Sequence, residues 1–178
     1  MKKILIDKNN IIPKIKSTKM FNLLANNELD YLFSIGEIYE YSVNEIIINE
    51  GEISPYLYII LSGSVTIKIK SYNSEMPKDV YICSVGTGDI IGEAAIFTNV
   101  KRTANVIANE SLRMFIIERD KFFEFIKTFP GSGIKILMVI IHSLLNKLKE
   151  INHELAFERE ADLEQKDIDD IINEFMTK

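Results

Sequence analysis

The chain has 178 residues, enough for one well-cored domain, and its 21 Lys plus Arg against 26 Asp plus Glu give a formal charge of −5. That balance argues against a partner held mainly by phosphate neutralisation, so direct DNA binding is not expected. Cys83 is the only cysteine, which excludes an internal disulfide, and Met1-Lys2-Lys3 followed by a short apolar run broken at Asp7 lacks a signal peptide's long apolar core, so a cytoplasmic location is expected.

From Ser17 to Ser34, Met20, Phe21, Leu24, Leu29, Tyr31, Leu32 and Phe33 recur at helical spacings around a turn at Asn26-Asn27. Residues 1–36 therefore read as an N-terminal extension with a small helical subdomain. From Ile38 to Glu118 the composition shifts to β-branched and aromatic runs cut by Gly, Asn, Ser and Pro, the pattern of many short antiparallel strands. The predicted strands are Ile38–Val43, Ile46–Asn49, Tyr56–Leu61, Ser64–Lys70, Val80–Val85, Ala104–Ala108 and Leu112–Ile117. In the fourth of these, Val65, Ile67 and Ile69 alternate with Thr66, Lys68 and Lys70, a strand with one wet face. Strands without intervening long helices favour a sandwich or jelly roll over a parallel sheet.

After Arg119 the period is helical again. Phe122, Phe123, Phe125 and Ile126 predict a short helix stopped at Phe129-Pro130-Gly131, and Ile134 opens a long one. The apolar stretch Ile134 to Leu148 is interrupted by Lys135, His142, Ser143, Asn146 and Lys147 and falls short of the roughly 20 residues a bilayer needs, so membrane insertion is not expected. Ile134, Leu137, Ile141, Leu144, Leu148, Ile151 and Leu155 repeat in steps of three and four, a coiled-coil seam through which a homodimer is expected. Residues 158–178 hold eight acidic and three basic residues and so carry the whole net charge of the chain, leaving a neutral body.

The chemistry concentrates in Gly88-Asp89-Ile90-Ile91-Gly92-Glu93-Ala94-Ala95 and the following Arg102-Thr103-Ala104. Gly92 and the two alanines can open a short helical turn whose free N–H groups face an anion. Arg102, nine residues after Glu93, can return to that spot and fork onto a phosphate. A carboxylate beside a phosphate is repulsive unless it accepts from a hydroxyl, which a ribose 2′-OH would supply to Glu93. Thr103 adds a second hydroxyl there.

These motifs, with Gly51-Glu52, Leu57-Tyr58-Ile59-Ile60-Leu61-Ser62-Gly63 and Phe129-Pro130 in order, resemble the cyclic-nucleotide-binding domain family, that of the catabolite activator protein, protein kinase A regulatory subunits and cyclic-nucleotide-gated channels. The resemblance covers roughly residues 20–155. It implies a mainly β fold, an eight-stranded antiparallel β-roll over 37–118, with a phosphate-binding cassette at 91–104 and C-terminal helices at 119–157. By the same resemblance Arg102 would pair with the cyclic phosphate, helped by backbone N–H groups around Ala94 and Ala95. Glu93, following Gly92, would hold the ribose, and the strand at Ile82 and Cys83, with Ile91, would line the base. The long helix would close over the base, with Asn146, Lys147 and Glu150 as candidates for contact.

The resemblance implies a stand-alone, non-enzymatic sensor of cyclic AMP or cyclic GMP, with cyclic AMP slightly favoured, that signals through its C-terminal helix to an unknown protein effector. The alternative is a constitutive dimeric scaffold that kept the roll but binds another anionic ligand or none. An enzyme, for example a phosphodiesterase, would need a metal cluster or general base. His142 and His153 lie on one helix without a Cys or carboxylate constellation, and no nucleophile elbow or Walker loop is present, so neither metal nor cofactor is expected.

Overall fold

Alternation with a period of two builds the sheets, and in the central strands both faces are apolar. In the computed structural model, which describes residues 1–4, 16, 18, 20–71, 78–98, 100–149 and 151–153, nine strands are formed. They are β1 (Lys2–Ile4), β2 (Glu37–Tyr41), β3 (Ile46–Ile48), β4 (Tyr56–Ser62), β5 (Ser64–Ser71), β6 (Lys78–Gly86), β7 (Ile90–Ile91), β8 (Asn105–Ala108) and β9 (Leu112–Glu118). All pair antiparallel in two sheets, ordered β1-β2-β9-β4-β7 and β3-β8-β5-β6. The eight strands β2–β9 are the expected roll, and β1 adds an edge strand that the sequence reading did not anticipate.

On the five-stranded sheet, Leu57, Tyr58, Ile59 and Ile60 of β4 are all buried, although neighbours along a strand point to opposite faces. One face, with Ile38, Leu57, Ile59, Phe115 and Ile117, packs on helical residues such as Phe21, Leu32, Phe122 and Phe125. The other, with Tyr41, Tyr58, Ile60, Met114 and Ile116, packs on Ile48, Val65, Val85 and Val106 of the four-stranded sheet. A sheet buried on both sides needs near-continuous apolar strands, which is what Leu57–Leu61 supplies. The β5–β6 ladder slips between Ile67 and Lys68, so Cys83 faces Ile67 and Tyr81 faces Lys68 while Ile82 opposes no residue.

The helices differ from expectation at their ends. A 3-10 turn at Phe21–Leu23 precedes α1 (Asn26–Ile35), so Asn26-Asn27 begin the helix rather than form a turn. Glu28 closes this first turn by accepting from the Ala25 N–H at 2.8 Å. Later come α2 (Ala94–Phe97), α3 (Arg119–Thr128) and α4 (Pro130–His153). Helix α4 starts at Pro130, four residues ahead of the predicted Ile134, because proline suits a first helical turn whose N–H groups are unsatisfied anyway. Gly131, Ser132 and Gly133 are therefore helical, with Ser132 Oγ donating to Glu28 Oε1 at 2.6 Å. A Cβ on Gly133 would lie 2.9 Å from Ile126 Cγ2, so glycine permits the close approach of α4 to α3.

Two compact units result, Met1–Ile141 and His142–Lys178. The sequence boundaries at 36 and 118 fall inside the first unit, since the helical segments on either side of the roll share one core with it. Within that unit α4 is two-faced: Ile136 and Ile140 are fully buried, whereas Ile134, Met138 and Ile141 are exposed. Leu137, expected in the seam, instead packs at the edge of the core. In the second unit Leu144, Leu145, Leu148 and Ile151 are exposed, while Leu155, Glu150 and the acidic segment 158–178 lie outside the described residues. At 24 residues, α4 is long and apolar enough to cross a membrane by length and composition, being longer than the apolar stretch read from sequence; Ile136 and Ile140 of its first half belong to the core.

Candidate functional site

Strand β7 pairs with β4 through Tyr58↔Ile91 and Ile59↔Ile90, and the chain then turns sharply at Gly92. Gly92 has φ +79°, in the left-handed region that side chains disfavour, and a Cβ there would lie 2.5 Å from Arg102 Nη1 and 2.9 Å from the Tyr56 carbonyl. Conformation and contact thus both demand glycine. The expected helical turn follows as α2, in which the Ala95 and Ile96 N–H groups bond Gly92 O and Glu93 O, each at 3.2 Å. Ala95 is buried and Ala94 exposed.

Arg102 is only 8% exposed, although its guanidinium is charged. Its backbone is clamped to the Gly51-Glu52 turn, with Arg102 N donating to Glu52 O at 2.7 Å and Gly51 N donating to Arg102 O at 2.8 Å. The side chain reaches inward, where Nη1 donates to Gly92 O at 3.2 Å, and Nη2 donates to Tyr56 O at 2.7 Å and Ser54 Oγ at 3.3 Å. Its Cζ sits 5.6 Å from the centre of the Tyr58 ring, a cation–π contact. Nε is buried without a hydrogen-bond partner among the described residues.

Burial pushes the Arg102 pKa below its ordinary value, and neighbouring Tyr58 and Glu93 pull it back up. Among the described residues no carboxylate comes within ion-pair distance of it. Buried charges are ordinarily paired, and this positive group is held by carbonyls and a hydroxyl with one donor unused, which is donor capacity that an anion can use.

Glu93, 8% exposed, flanks α2 and acts on the Arg102 charge, so the structure brings Gly92, Glu93, Ala95 and Arg102 together. Thr103 is exposed beside them. Ile91, 2% exposed, belongs to the inter-sheet core with Tyr58 and Val85, and half-buried Cys83 packs against that core. Ile82 is the bulge residue of β6. The sequence reading missed Ser54, Tyr56 and Tyr58. Their signal was available in part, because Tyr56 and Tyr58 are two apart on one strand face.

The sequence matches the family described as cyclic nucleotide-binding domain over residues 39–129, a span that includes every one of these site residues. The cGMP-dependent protein kinase of Eimeria tenella is 27% identical over 123 residues, 68% of this chain and 12% of that protein. The human cGMP-dependent protein kinase 2 is 26% identical over 116 residues, 65% of this chain and 15% of that protein. The chain thus spans only a small part of these relatives. Among solved structures, a cyclic nucleotide-binding domain from Methylobacillus flagellatus superposes with a TM-score of 0.69 at 25% identity, covering 82% of this chain and 80% of that one. The Thermus thermophilus catabolite activator protein shares the fold, with a TM-score of 0.63 at 21% identity over 79% of this chain and 62% of its own. With the matched span covering half the chain and the buried arginine at its centre, this chain belongs to the cyclic nucleotide-binding domain family.

Proposed function

We propose that this chain is a regulatory sensor that takes a cyclic purine mononucleotide at Arg102 and carries out no chemistry on it. The observation that carries the reading is the buried guanidinium with an unused Nε, which a cyclic phosphate would satisfy. Glu93 would accept from the ribose 2′-OH. The kinases similar to this chain are named for their dependence on cyclic GMP, which supports a cyclic nucleotide as ligand. Thr103, exposed beside Arg102, is the residue we would examine first for the choice between cyclic AMP and cyclic GMP.

The output would run through α4. Its apolar residues Ile134, Met138 and Ile141 are exposed, and a homodimer through the Ile134–Leu155 helix would cover them. The ligand must then favour one arrangement of α4 over another, since equal affinity for both would shift nothing.

The test is calorimetric titration of nucleotide-stripped protein with cyclic AMP and cyclic GMP, repeated on Arg102→Ala. Saturable heat lost in the variant is expected. No heat with either nucleotide would overturn the reading in favour of a scaffold or another anion, and appearance of the linear mononucleotide on prolonged incubation would overturn the non-enzymatic part.

A further inference from the structure

A cavity of about 300 Å³ lies on the roll side of β2, β4 and β9 and is walled by Tyr39, Tyr41, Tyr56 and Tyr58. The register explains the gathering: Glu37, Ile116 and Tyr58 form one cross-strand row, and Glu118 and Tyr56 form the next. None of the lining residues belongs to the cassette at 91–104. The volume is at the small end of the range for ligand pockets.

The four phenols act on one another, Tyr41 with Tyr58 and Tyr39, and Tyr56 with Tyr39 and Tyr58. Burial holds the Tyr41 and Tyr58 pKa values up, so both remain neutral phenols at physiological pH. Tyr39 Oη already donates to Glu37 at 2.7 Å. Tyr41 is only 3% exposed, yet its hydroxyl has no hydrogen-bond partner among the described residues. A buried phenol on a cavity wall with an unused donor and acceptor is ordinarily satisfied by whatever fills the cavity.

Charge narrows the class of occupant. Glu37 is occupied by Lys3 Nζ at 2.6 Å as well as by Tyr39. Glu118 stands at the start of α3 without capping it, and its side chain makes no hydrogen bond or ion pair among the described residues. Lys121 also lines the cavity and acts on Glu37, but its side chain is exposed and its ammonium can turn to water. With Lys121 exposed and the Met1 ammonium engaged by Glu45, what is left facing the cavity is the Glu118 carboxylate among electron-rich rings and phenol oxygens, a combination that suits a cation.

We propose that this cavity is a second ligand site, for a small organic ammonium compound whose cationic head sits on Glu118 and the phenol oxygens while its apolar body lies against the tyrosine rings. None of its lining lies in the cassette, but two walls are shared with the Arg102 site: Tyr56, whose carbonyl accepts from Arg102, and Tyr58, whose ring carries the Arg102 contact.

The experiment is amide-correlation NMR of the full chain, titrated with benzylamine and choline as ammonium probes and with benzyl alcohol as the neutral counterpart. Saturable shifts centred on Tyr39, Tyr41, Tyr58 and Glu118 are expected, with dissociation constants on the order of 1 mM or tighter for at least one amine. Glu118→Gln should weaken that amine about tenfold and Tyr41→Phe, which keeps the ring, about fivefold. Benzyl alcohol binding as well as benzylamine would overturn the ammonium class. No saturable shift with either amine, shifts centred elsewhere, or affinity indifferent to both substitutions would overturn the site. The amine titration is run without nucleotide, so it succeeds or fails whatever the nucleotide titration gives; amine shifts centred on residues 92–103 instead would show that the two are not distinct sites.

Discussion

Truncating Arg102 to alanine should separate stability from binding. In the ligand-free protein the change deletes three hydrogen bonds from the guanidinium, to Gly92 O, Ser54 Oγ and Tyr56 O. Each bond from a charged donor contributes about 1.5–3 kcal/mol. Against that, removing a buried charge that forms no ion pair among the described residues relieves a desolvation cost of several kcal/mol. The two largely cancel, so ligand-free stability should move by about 1 kcal/mol, a melting shift of roughly 2–4 °C for a chain of this size. Bound phosphate is another matter, because losing its guanidinium in a desolvated site costs about 3–5 kcal/mol, or roughly two to four decades in Kd.

The assay is thermal denaturation with and without nucleotide at about one hundred times the wild-type Kd. Wild type should gain about 2.7 kcal/mol, or roughly 5–11 °C, and the variant about 0.4 kcal/mol or less, under roughly 2 °C. A variant that melts far below wild type without ligand would make Arg102 a structural residue. One that keeps the full ligand-induced gain would refute the assignment of the phosphate to it.

Gly92→Ala should destabilise by about 2–3 kcal/mol in urea titration, from the left-handed backbone and the displaced guanidinium together, and weaken nucleotide binding with it. The two faces of α4 should respond oppositely: Ile136→Ala, at a fully buried position, should cost about 2–5 kcal/mol, whereas Ile134→Ser should leave stability nearly unchanged and shift sedimentation from dimer to monomer. Glu28 accepts from Ser132 Oγ and the Ala25 N–H, which hold its pKa below the ordinary 4.5. The contribution from a depressed carboxylate is fully present above about pH 4.5 and is lost as pH falls through the lower folded value, so Ser132→Ala should flatten the acid side of the stability curve below about pH 4.5; an unchanged slope would show that this pair does not couple to folding.

Much of this protein was legible one residue at a time. Seven of its strands were marked by two-residue alternation or β-branched runs, and the motif from Gly88 to Arg102 marked a candidate anion site before any geometry was known, because glycine, small residues and arginine together suit a backbone that approaches a phosphate closely. Beyond reach were features set by partners distant in the chain. Strands β1 and β7 are too short to carry a period of their own and exist because β2 and β4 offer edges to pair with.

The helical seam was read with one face where the structure has two, since Ile136 and Ile140 are buried by the sheet and α3 rather than by anything in the helix's own spacing. Ser54, Tyr56 and Tyr58 became site residues only when β4 was laid under the cassette and brought them to Arg102, 46 positions beyond Tyr56. The tyrosine-walled cavity has the same origin. Local sequence determines which face of a strand is apolar and where a backbone must turn; which side chains meet across strands, and which charge is left without a counter-ion, is decided by long-range register, because hydrogen-bonded ladders and not sequence neighbours set those distances.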